Sequence, residues 1–106
     1  MSQRFRMAAL VLLATSMALP AFSQAPGADT YKAKCAMCHG ADGLAATPMA
    51  KSMKVVSFKD PTMTSASDAQ FIASTTNGKG KMPAYTGKLT DAQIKDVIAF
   101  IRTLQK

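Results

Sequence analysis

The chain has no tryptophan, two cysteines and one histidine among its 106 residues. A structural zinc site wants four protein ligands, so this supply runs out at three unless a carboxylate is enlisted. Aromatic side chains make up only 7% of the sequence. No aromatic stripe is interleaved with the scattered lysines, which removes the stacking groove of a nucleic-acid binder. Six acidic side chains face thirteen basic ones, a formal net charge of +7. Alternating apolar and polar residues never persist long enough for a convincing strand, and the β-leaning stretch Val55 to Phe58 reads as loop. No apolar run makes a comfortable membrane span either, since Met7 to Leu19 stops short of the required length.

That short run has a meaning at its own position. Arg4 and Arg6 precede it, Pro20 breaks it, and Ala21-Phe22-Ser23 puts small residues where a signal peptidase reads. Residues 1–23 are therefore expected to be an export signal cut after Ser23, with a cut after Ala25 and a retained anchor as the other readings. Residues 24–106 then form one periplasmic domain. A domain this small buries a modest share of its apolar surface and usually needs a staple or a cofactor. Its lysines, from Lys32 to Lys95, are spread rather than blocked and read as a solvated surface. Those beside a functional site would steer an acidic partner.

The chemistry is concentrated in Cys35-Ala36-Met37-Cys38-His39. Two thiols three residues apart on a helical turn can reach the two vinyl groups of a porphyrin, and the next residue then points under the ring, which makes this a haem-attachment signature. His39 is thereby offered to the iron as one axial ligand. Two rivals remain. A Cys-x-x-Cys pair in an oxidising compartment could exchange electrons as a disulfide, although the βαβ scaffold of such proteins is missing here. Zinc would need a carboxylate as its fourth ligand.

The second axial position falls to a methionine. Met37, Met49, Met53, Met63 and Met82 follow the signal, and any of them could be core filler. Met82 differs in sitting in Asn77-Gly78-Lys79-Gly80-Lys81-Met82-Pro83-Ala84-Tyr85, a glycine-broken, proline-stiffened loop that can hold a side chain in place. Met53 and Met63 are the fallback. Imidazole and thioether together leave no open position on the iron, and a sulfur ligand favours the reduced state.

Helices account for the rest of the chain. A first helix is expected over Gly27 to Cys38, with Gly40 and Asp42-Gly43 turning the chain after it. Thr47-Pro48 reads as a cap with proline at the first helical position, opening a helix through Met53. Ser67-Asp68-Ala69-Gln70 and Thr90-Asp91-Ala92-Gln93 are capping boxes. The first opens a helix that ends near Asn77-Gly78. The second opens the strongest amphipathic helix, with Ile94, Val97, Ile98, Ile101 and Leu104 on one face.

With these residues laid out, the chain resembles the class I c-type cytochromes over nearly all of 24–106. Within that family it is similar to the short bacterial type whose Cys-His-Gly-x-Asp-Gly start is matched by Cys38-His39-Gly40-Ala41-Asp42-Gly43. The resemblance implies an all-α, small cytochrome c fold of about four short helices and loops wrapped around one covalently bound haem c. It implies a close crossing of the first and last helices, for which Gly27, Tyr31 and Phe100 stand in the family's places. Met82-Pro83 matches the family's distal Met-Pro, and Pro48 is matched to the proline whose carbonyl fixes the proximal histidine. The implied function is an exported one-electron carrier, monomeric and without catalysis of its own. Its donor and acceptor would be redox proteins, acidic-surfaced or membrane-bound oxidases or reductases. An electron-entry subunit of an oxidoreductase complex and a gas-binding haem sensor are the alternatives.

Overall fold

The computed structural model describes residues 14–17 and 25–106. Apart from residues 14–17, the expected export signal and its cut site lie outside the described residues. Six helices follow in order: α1 (Ala28–Lys34), α2 (Ala36–His39), α3 (Pro48–Met53), α4 (Pro61–Thr64), α5 (Asp68–Asn77) and α6 (Asp91–Leu104). No strand forms among the described residues, where Lys79 with Met82 and Thr86 with Leu89 make isolated bridges.

The count exceeds the expected four for two local reasons. Cys35, at φ −117° and ψ −35°, breaks the expected first helix into α1 and α2, and Gly27 caps α1 from outside it. One extra turn, α4, forms where the Asp60 side chain accepts the Thr62 N–H and Pro61 takes the first helical position. The other helices start where their caps stand. Thr47 accepts the Ala50 N–H ahead of α3. Ser67 with Gln70, and Thr90 with Gln93, form reciprocal capping boxes. Val55 to Phe58 lies outside every helix, as expected.

The amphipathic face of α6 nucleates the core. Ile94, Val97, Ile98 and Ile101 are buried there and pack with Tyr31, Phe58 and Phe71. Arg102 then ties the last turn of α6 to the start of α5: Nε donates to the Asp68 carboxylate at 2.9 Å and Nη2 to the Ala66 carbonyl. Its guanidinium also lies over the Phe71 ring. Exposed ion pairs contribute little, so the carbonyl bond and the aromatic contact carry most of this tie.

The crossing of α1 and α6 depends on Gly27. A Cβ there would press into the Asp96 carbonyl and lie 2.7 Å from the Val97 nitrogen, at a φ of +88° that disfavours any side chain. Beside this contact the Tyr31 and Phe100 rings meet at 5.2 Å. The expected helix crossing is present, built by the three residues matched to it. Gly27→Ala is expected to lower stability by about 3 kcal/mol, combining backbone strain with overpacking. Urea unfolding of the cofactor-loaded protein would measure the loss.

Candidate functional site

The attachment turn is built by backbone bonds around Cys35. Its N–H donates to the Tyr31 carbonyl at 2.8 Å, closing α1, and its carbonyl accepts the His39 N–H at 2.9 Å, closing α2. Cys35, Cys38 and His39 are thereby held on consecutive short turns. Gly40, at φ +83°, lets the chain leave α2 sharply, and its carbonyl accepts the Tyr31 hydroxyl at 2.6 Å. Further on, the Thr47 hydroxyl donates to the Cys38 carbonyl. The segment after the motif is thus fastened back onto it.

Both cysteines are free thiols and half-buried. Burial, and then the neighbouring Cys38, push the Cys35 thiol up to about 11. A disulfide-exchange centre needs the opposite shift, toward a stable thiolate. No group of three or more His, Cys, Asp or Glu side chains converges among the described residues as a protein-only metal site would require.

Burial also lowers the His39 pKa below its ordinary 6.5, which keeps the imidazole neutral. The ring lies face to face with Phe58, centroids 4.6 Å apart and planes 15° off parallel. Its Nδ1 is buried with no hydrogen-bond partner. Pro48, matched by resemblance to the carbonyl that would take this proton, therefore does not do so here. Thr47, capping Ala50 and bonded to Cys38, sets Pro48 at the start of α3 instead. A neutral imidazole whose Nδ1 is buried, one residue after two free thiols, is a donor set that fits covalently held haem.

Met82 arrives from the other end of the chain. Lys79 and Met82 exchange backbone bonds of 3.1 and 3.0 Å around Gly80. The loop then folds onto Gly78, where a Cβ would stand 2.9 Å from the Met82 carbonyl oxygen. Tyr85 and Thr86 donate their N–H groups to the Thr75 and Thr76 carbonyls at the end of α5. Across the fold, the Tyr85 hydroxyl donates to the Lys34 carbonyl at 2.9 Å, one residue before Cys35. Burial, with Cys35 and Cys38 close by, raises the Tyr85 pKa. This latch brings the Met82 loop beside the attachment turn. Tyr85→Phe is expected to cost about 1 kcal/mol, measurable in a urea titration with helix content unchanged.

The remaining methionines sit elsewhere. Met37 is 74% exposed and Met49 39% exposed, whereas Met63 packs against the core cluster from α4. Met53 ends α3, half-buried. Sequence reasoning passed over two participants, Phe58 and Tyr85. The available signal for Phe58 was that no other aromatic residue lies between Tyr31 and Phe71.

A family model described as cytochrome c oxidase, cbb3-type, subunit III matches residues 22–101. The cytochrome c6 of a Synechococcus species is 36% identical over 87% of this chain and 81% of its own length. That of a Picosynechococcus species is 36% identical over 88% and 86%, and that of a Nostoc species 37% over 87% and 86%. Among solved structures, the KustC0563 c-type cytochrome superposes with a TM-score of 0.69 at 27% identity, covering 76% of this chain and 98% of the other.

Proposed function

The chain belongs to the class I c-type cytochromes, carries their haem c and moves electrons between redox partners; from that premise we propose the residues that do the work. Cys35 and Cys38 would hold the haem, and His39 and Met82 would ligate its iron. Each thiol would hold the porphyrin through one thioether bond. With Nδ1 buried in protein, Nε2 is the nitrogen His39 would offer the metal. Met82 would supply the second ligand, from a loop held by the Gly78 contact and the Tyr85 latch. The bound haem supplies a one-electron iron couple. The polypeptide would supply two fixed ligands of unchanged identity in both states, which keeps rearrangement small.

In this reading the protein is exported, its signal removed after Ser23, and acts in the periplasm as a monomeric carrier rather than as an enzyme. Among the described residues no helix is long and apolar enough to cross a membrane. Exposed Lys34 borders the attachment turn, and exposed Lys79 and Lys81 flank the Met82 loop. These charges favour acidic docking faces on the donor and acceptor, including membrane-bound oxidases or reductases. The cytochrome c6 relatives, of whose length this chain covers 81% and 86%, favour the carrier over the gas-sensor and oxidoreductase-subunit readings.

The observation that carries the proposal is the Tyr85 to Lys34 bond, which places the Met82 loop against the Cys35 turn from 51 positions away. The test joins a pyridine haemochrome spectrum to intact mass and voltammetry. One haem, two thioethers and a reversible one-electron couple are expected. A five-coordinate, high-spin spectrum would overturn the axial assignment.

A further inference from the structure

Resting on the assignment of His39 as an iron ligand, we infer that Phe58 is a positioning residue that sets the plane of its imidazole. An imidazole on a single-bonded stem can rotate unless something holds it, and an outer hydrogen bond is the usual restraint. Here Nδ1 has no partner. What the ring does have is a flat neighbour at 4.6 Å and 15°.

Phe58 can serve because it is itself immobilised from every side. It is 3% exposed. Its N–H donates to the Gly43 carbonyl at 2.9 Å, and its own carbonyl accepts Nε2 of Gln105 at 2.9 Å. The ring edge lies so close to Gly43 that a Cβ there would stand 2.9 Å from Cδ2. Tyr31 and Phe71 flank it at 6.4 and 6.1 Å, both tilted. An aliphatic side chain would fill this space, but it offers no face to fix the imidazole plane. The chain of restraint runs from Gln105, past the end of α6, through the Phe58 backbone to the aromatic face on His39.

The orientation of an axial imidazole decides which iron orbital it overlaps, and so governs the magnetic anisotropy of the ferric state. That property separates positioning from packing. In the haem-loaded protein, Phe58→Leu is expected to retain haem mass, helix content and methionine ligation while shifting the largest ferric g-value and changing the spread of the haem-methyl proton resonances. Gln105→Met, which removes the donor on the Phe58 carbonyl without touching the ring, is expected to produce a smaller change of the same kind. Ile72→Val, a comparable loss of volume in the core, is expected to leave both signatures unaltered. Wild-type signatures in Phe58→Leu and Gln105→Met together would overturn the inference. Should Phe58→Leu fail to fold, Gln105→Met alone decides, and an unchanged spectrum overturns it. A wild-type protein lacking the signature of histidine ligation overturns the His39 assignment itself, which distinguishes that failure from this one.

Discussion

Replacing Cys35 and Cys38 together with alanine is expected to yield a chain with no covalently retained haem and little stable structure. The double variant should weigh no more than its polypeptide and lose all Soret absorbance on a denaturing gel. Its far-UV circular dichroism should fall well below that of the wild type. The structural reason lies in the size of the core. Seven buried apolar side chains form the central cluster, and several of the larger apolar residues, Met37 and Val56 among them, face outward. A domain this small leaves a large share of its apolar surface uncovered, so a cofactor contributes a substantial part of the packing. Single variants separate the roles of the two thiols: each should keep haem through one thioether, with the haemochrome band displaced in the direction of an unreacted vinyl. A double variant with full helix content and a cooperative unfolding transition would refute the idea that the cofactor supports the fold.

Met82→Ala is the second variant with a large expected effect, and it acts on chemistry while sparing architecture. The loop backbone is fastened without the methionine side chain: Lys79 and Met82 exchange main-chain bonds, Tyr85 and Thr86 hang from α5, and the Tyr85 hydroxyl reaches Lys34. Alanine keeps every one of these bonds. The haem should therefore stay attached and the helices should persist, while the iron loses its thioether. The potential is expected to drop by a sizeable part of the roughly 0.8 V that axial ligands span. Ferrous protein should now bind carbon monoxide at neutral pH, and the sulfur-to-iron charge-transfer band of the oxidised form should vanish. Unchanged potential and spectrum would transfer the ligand role to Met53 or Met63.

Local sequence carried most of the helix assignment because the signals that start helices are themselves local. Thr47-Pro48 announced α3 with both of its bounds, and the capping boxes at Ser67 and Thr90 both form as written. Asp60-Pro61 is the same kind of signal as Thr47-Pro48, yet α4 went unseen because one turn has no room for apolar periodicity. The break at Cys35 was invisible for a different reason. Helical spacing continues across it, and the change in backbone angle shows only in three dimensions. The residues of the attachment turn were legible because their chemistry is contiguous. The Met82 loop was legible as a rigid loop because glycine and proline advertise one. Phe58 and Tyr85 were not, since each acts through partners far along the chain: Gly43 and Gln105 for one, Lys34 for the other. The Pro48 match also depended on a contact far along the chain, and the buried Nδ1 of His39 has no partner.

Gln105, next to the last residue, donates to the Phe58 and Met63 carbonyls, and Arg102 reaches Asp68 and Ala66. The middle of the polypeptide thus waits for its tail. A chain emerging from synthesis N-terminus first cannot close these bonds until the residues at and beyond the last turn of α6 have appeared.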